Sequence, residues 1–106
     1  MIQDLFLTYE MSLIAKEKRF DEPCFARYIK KEFRFAALGG VTNFTKEQPG
    51  QISAPLYQQI ISWLKKEHKI LISELWDGWD WAKEDEDFSF CLTLDEAIKN
   101  AFKLIK

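Results

Sequence analysis

Apolar positions repeat at helical spacing in three stretches of the chain and at strand spacing between them. From Thr8 to Lys18, Met11, Ile14 and Ala15 fall on one side, with Lys16, Glu17 and Lys18 on the other, which predicts an amphipathic helix. Thr8 is placed to accept from an unpaired amide at its start. Asp21-Glu22-Pro23 closes it, because the residue before a proline is pushed out of the helical region. A second helix is predicted from Ser53 to His68, with Ser53 as cap, Pro55 in the first turn and a stripe of Leu56, Ile60, Trp63 and Leu64. The third opens on Thr93-Leu94-Asp95-Glu96, a capping box, and carries Leu94, Ala97, Ile98, Ala101, Phe102 and Ile105 on one face.

Strand patterns lie between these helices. Cys24 to Lys30 and Phe33 to Leu38 are rich in β-formers and are joined by Lys30-Lys31-Glu32, while Gly39-Gly40 ends the second run. Residues 41–53 hold turn formers and predict a loop, with Pro49-Gly50 suited to the centre of a type II turn. Ile70–Trp76 and Trp79-Asp80-Trp81 flank Asp77-Gly78, whose residues tolerate positive φ and favour a two-residue hairpin turn. That turn pairs Trp76 with Trp79, Leu75 with Asp80 and Glu74 with Trp81, so all three tryptophans share one face. After the acidic run Glu84-Asp85-Glu86-Asp87, a further strand places Phe88, Phe90 and Leu92 on one face. The fold class expected is α+β. It has a small antiparallel sheet of four or five strands with three helices, ordered α-β-β-α-β-β-β-α, in a single domain over residues 1–106.

Composition narrows the function classes. The 106 residues are 47% apolar and 15% aromatic, enough for one core and too apolar for a disordered chain. The apolar runs are too short for a membrane helix, and Met1-Ile2-Gln3-Asp4 lacks a basic, apolar leader, so a cytoplasmic setting is expected. Cys24 and Cys91 form no close pair, and the single histidine, His68, stands far from both, so a zinc site is not expected. Both cysteines read as reduced and buried. The net charge of −2 hides an asymmetry: up to Trp76 the chain is mildly basic, and residues 77–106 carry four basic and eight acidic groups.

Leu5-Phe6-Leu7-Thr8-Tyr9-Glu10, Phe20-Asp21-Glu22-Pro23-Cys24-Phe25-Ala26, the block from Ile52 to Leu64 and Leu94-Asp95-Glu96-Ala97-Ile98 together resemble a family of short proteins of Bacteroidetes phages and prophages. The resemblance covers most of the chain, and Ser53-Ala54-Pro55-Leu56-Tyr57-Gln58-Gln59 is its most specific part. It implies no catalytic residues. It implies a mobile-element gene product in bacterial cytoplasm, a setting in which small acidic proteins bind host or defence proteins, anti-CRISPR inhibitors among them. Residues Trp76 to Asp87 have no counterpart in that pattern.

Three functional readings follow. In the first the chain is a non-enzymatic inhibitor that docks on a larger bacterial protein with a basic surface, such as an RNA-guided CRISPR nuclease. Its contacts would be Trp76, Asp77, Trp79, Asp80, Trp81, Glu84, Asp85, Glu86 and Asp87, since aromatics anchor interfaces and carboxylates complement a basic groove. The same residues also fit a covered sheet face and a solvated link. The second reading is a nucleic-acid binder using Arg27, Lys30, Lys31 and Arg34 beside Phe25, Tyr28, Phe33 and Phe35, and the negative net charge counts against it. The third is an enzyme built on paired carboxylates such as Asp77 and Asp80. No nucleophile–base pair accompanies them, so neither catalysis nor a cofactor is expected.

Overall fold

A computed structural model describes residues 2–36, 41–47 and 50–105. Its contacts divide the chain into two compact units, residues 1–57 and 58–106. The fold is α+β, but the expected single sheet is replaced by two antiparallel sheets of three strands.

The first unit opens with a 3-10 turn, Ile2–Leu5, followed by α1, Tyr9–Glu17. Thr8 caps α1 as its sequence predicts, its hydroxyl accepting from the Met11 amide at 3.2 Å. The helix stops well before Pro23. Arg19 takes φ 67°, its amide donates to Lys16 O and the Phe20 amide donates to Ala15 O. This is the bonding of a Schellman motif with arginine where glycine is usual. Two strands follow, β1 (Ala26–Ile29) and β2 (Glu32–Phe35), with Tyr28 opposite Phe33 and Ile29 opposite Glu32. Lys30 and Lys31 form the turn at φ 50° and 70°, the doubly left-handed geometry usually given to Asn-Gly. The expected strand end at Ala37 to Gly40 lies outside the described residues.

The loop expected over residues 41–53 is instead a one-turn helix α2, Phe44–Glu47, and a strand β3, Gln51–Ala54. β3 pairs with β1, Ile52 standing opposite Tyr28, and the sheet order is β2-β1-β3. Ser53 therefore caps no helix. Its hydroxyl accepts from the Thr45 amide at 3.1 Å, and its own amide donates to Thr45 Oγ1 at 3.0 Å. Pro55 is likewise in extended chain, its carbonyl accepting from Leu7 N, with Phe6 bridged to Leu56. Gly50 takes φ 86°, as the turn formers predict, while Pro49 lies outside the described residues. Phe6, Ala26, Tyr28, Ile52 and Ala54 form one buried cluster of this unit, and Leu7, Met11, Phe20, Cys24 and Phe44 are buried as well.

The helix α3 spans Tyr57–His68, four residues later than the sequence predicts at its start. It buries Ile60, Trp63 and Leu64, three members of the expected stripe. The second unit continues with β4 (Ile70–Leu75), β5 (Gly78–Lys83), β6 (Ser89–Cys91) and α4 (Leu94–Lys103). Its sheet order is β4-β5-β6, so β5 is central, and α4 packs against all three strands. Thr93 caps α4, accepting from the Glu96 amide at 3.2 Å, and Ala97, Ile98, Ala101 and Phe102 are buried as the periodicity predicts. Among the described residues no helix is long and apolar enough to cross a membrane.

Candidate protein-docking site

The register of the second sheet corrects the expected hairpin. Leu75 pairs with Gly78, Glu74 with Trp79, Ser73 with Asp80 and Ile72 with Trp81. Trp76 and Asp77 form the turn, and neither of them nor Gly78 takes a positive φ. Gly78 serves a different need. An added Cβ would lie 2.5 Å from Cys91 O and 2.5 Å from Phe90 Cζ, so the glycine lets the Phe90 ring and the Cys91 backbone close over β5.

This register separates the three tryptophans expected on one face. Trp76 stands at the hairpin tip and is 97% exposed. Trp79 and Trp81 are half-buried, opposite Cys91 and Ser89 of β6. Asp80 is on the other side of the pleat, opposite Phe90. Glu84, Asp85, Glu86 and Asp87 make the exposed link from β5 to β6, with Asp85 at φ 70°. None of these four carboxylates has an ion-pair partner among the described residues. Asp77 is exposed beside Trp76.

Alternation alone predicts that Phe88, Phe90 and Leu92 share a face, but not that the face is open. In the structure they are 50%, 50% and 71% exposed, and Leu75 and Trp76 are exposed as well. The row of Phe88, Phe90 and Leu92 lies outside the nine residues that the sequence marks as contacts.

Other chemistry-bearing groups are committed elsewhere. Cys24 and Cys91 are buried free thiols, as expected. Cys91 Sγ lies 3.5 Å from Thr93 O and 3.7 Å from Trp79 O. Burial, with the nearby charges of Glu96 and Asp80, pushes its thiol up from the ordinary value. His68 stands edge-on to Trp63, the ring centroids 4.7 Å apart, and lines a shallow hollow of about 280 Å³ with Lys69, Lys83, Glu84 and Asp85. Among the described residues no cluster of three or more His, Cys, Asp or Glu side chains is arranged to hold a metal ion.

Of the basic residues of the first unit, Lys30, Lys31 and Arg34 are exposed and Arg27 is half-buried, and three of the four meet a neighbour within the unit. The Arg27 guanidinium lies 4.9 Å over the Phe44 ring, and Arg34 pairs with Glu32 at 2.6 Å. Lys31 Nζ is 6.0 Å from the Tyr9 ring centre. Phe33 and Phe35 pack on Phe6 with centroids 5.2 and 5.9 Å away, and Phe33 meets Tyr28.

Compared with known proteins, the chain matches no family model, no curated protein and no solved structure.

Proposed function

We propose that this chain is a non-enzymatic protein-binding module that inhibits or modulates a larger bacterial protein by docking on its basic surface. The observation that carries the reading is Trp76, a large aromatic residue held 97% exposed at a hairpin tip, with Asp77 beside it and four unpaired carboxylates in the next link. Solvating an indole at a hairpin turn brings the free chain no burial, whereas inserting it into a partner's pocket would. The carboxylates would supply steering and orientation toward a cationic groove. A nuclease that holds a guide RNA has such a groove, and with the resemblance to phage and prophage proteins this supports an RNA-guided CRISPR nuclease as the partner class, in a cytoplasmic setting. Asp77, Asp80 and Glu84 to Asp87 are the electrostatic contacts in this reading. Trp79 and Trp81 brace the hairpin that presents Trp76.

The nucleic-acid alternative draws less support. Arg27 and Arg34 are engaged within their own unit, and the aromatics beside them pack on one another. The deciding experiment is affinity capture from a bacterial lysate with the wild-type chain, Trp76→Ala, and a variant carrying amides at positions 84 to 87. A protein with a basic surface should be recovered by the wild type and lost with both variants. Equal recovery by all three, or recovery of nucleic acid alone, would sink the reading.

A further inference from the structure

We infer that the open face of the β4-β5-β6 sheet is a docking surface for a cationic amphipathic segment of the partner protein, with Leu75, Phe88, Phe90 and Leu92 as its apolar floor and Asp80 as its internal carboxylate. This deepens the docking reading and rests on it, but it names a different surface from the Trp76 tip.

Asp80 and Phe90 stand opposite each other on one side of the pleat. Phe90 leans over Gly78, so the ring is held in place while half its surface stays wet. Phe88 and Leu92 flank it at the two ends of β6. β6 is also an edge strand, and edges with this much exposed apolar surface are usually blunted or covered.

Charge identifies what would cover it. Between Ile70 and Ile98 the chain carries nine carboxylates (Glu74, Asp77, Asp80, Glu84, Asp85, Glu86, Asp87, Asp95 and Glu96) and one cation, Lys83. Lys83 lies opposite Ile70, on the pleat side away from Asp80. A second copy would set these carboxylates against their equals, and a nucleic acid would bring phosphates to them. A segment with leucine-like side chains along one face and lysine or arginine at its flanks satisfies both the apolar row and its rim.

The test uses the intact chain and a fluorescein-labelled synthetic peptide of leucine and lysine at helical spacing, read by anisotropy. Controls are a lysine-only peptide of equal charge, a leucine–glutamate peptide and a single-stranded oligonucleotide. The leucine–lysine peptide should bind, and the lysine-only peptide should bind about tenfold more weakly. Binding should weaken as salt rises from about 50 to about 500 mM. Phe90→Ser should weaken it about tenfold. Because Phe90 also covers Gly78, Leu92→Ser provides a second variant that removes an exposed side chain without disturbing that contact. The inference is overturned by equal binding of the lysine-only peptide, by binding of the leucine–glutamate peptide or the oligonucleotide as tight as that of the leucine–lysine one, or by wild-type affinity in both variants. If the floor variants bind as wild type while Trp76→Ala still abolishes partner capture, this surface is wrong and the docking reading stands. If capture survives Trp76→Ala but fails with Leu92→Ser, the tip is wrong and the floor stands.

Discussion

In the first unit the aromatic rings meet one another, Phe35 among them while still 53% exposed, whereas Phe88 and Phe90 of the second unit have no ring partner among the described residues. Phe6, Phe33 and Phe35 form a three-way contact with centroids 5.1 to 5.9 Å apart, and Tyr28 joins it through Phe33. The Tyr28 hydroxyl is satisfied by donating to Leu7 O at 2.8 Å. Two cations of that sheet have partners in the same unit, Arg27 over Phe44 and Arg34 in an exposed pair with Glu32. The second sheet has equally strong β-formers, yet Phe88, Phe90 and Leu92 are at least half exposed and its acidic link is unpaired. A sheet face left open and set among charges of one sign is the observation on which the docking proposal rests.

The contrast is most sharply broken by truncating one ring in each unit. Phe6 is 5% exposed at the centre of its cluster, so Phe6→Ala should destabilise by about 3–5 kcal/mol. Phe90→Ala removes a ring already half in water and should destabilise by only about 1 kcal/mol. Urea denaturation of both variants measures the difference. Equal losses would mean that Phe90 is core and the second face is not open.

Gly78→Ala comes next in size. The new methyl would collide with the Cys91 carbonyl and the Phe90 ring, a misfit of about 1–3 kcal/mol. Faster amide exchange confined to β5 and β6 would show that the strain is local. Unchanged stability would mean that the close approach of β6 to β5 is not maintained in solution.

How much of this was legible in the sequence depended on how local each determinant is. Thr8 and Thr93 act on amides three residues away, and both caps were readable. β3 was not, because Ser53 and Pro55 mimic a helix start and only the distant partner β1 turns Gln51–Ala54 into a strand. The left-handed Arg19, Lys30 and Lys31 leave no trace in residue type, since cations are unusual at such positions. Asp77-Gly78 signalled a positive-φ turn, and packing of Phe90 used the glycine differently, which moved the register and sent Trp76 to the tip. The acidic run and the Phe88, Phe90, Leu92 alternation were plain, but exposure was not, because alternation fixes a face without fixing what lies on it.

Alkaline titration sharpens the comparison from the side of the first unit. Burial raises the Tyr28 hydroxyl above its ordinary value of 10.0, the Glu10 charge adding to this while a hydrogen bond with Gln3 opposes it. The native state therefore holds that proton more tightly than the unfolded chain does. The stabilisation is complete below pH 10 and is lost as pH rises through the raised value. Tyr28→Phe should flatten that alkaline loss in a denaturation series. It should lower stability at neutral pH by about 1 kcal/mol, for the lost bond to Leu7. A variant with the same alkaline limb as wild type would assign the loss to another group.

The smallest expected effect on stability is at the most exposed of the large hydrophobic side chains among the described residues. Trp76→Ala removes an indole that is 97% exposed, so the melting transition should move by no more than about 0.5 kcal/mol. The fluorescence consequence should be large. The other three tryptophans, Trp63, Trp79 and Trp81, are buried or half-buried, so Trp76 supplies the most accessible emission. Its removal should shift the spectrum to the blue and strip out most of the iodide-quenchable fraction. Iodide is repelled by the neighbouring carboxylates, so acrylamide should quench the wild-type indole more efficiently than iodide does, and added salt should narrow that gap. A melt lowered by several kcal/mol, or quenching unchanged by the substitution, would place Trp76 inside the fold. It would also remove the difference between rings that pack on one another in the first unit and an indole that stands alone at the tip of the second.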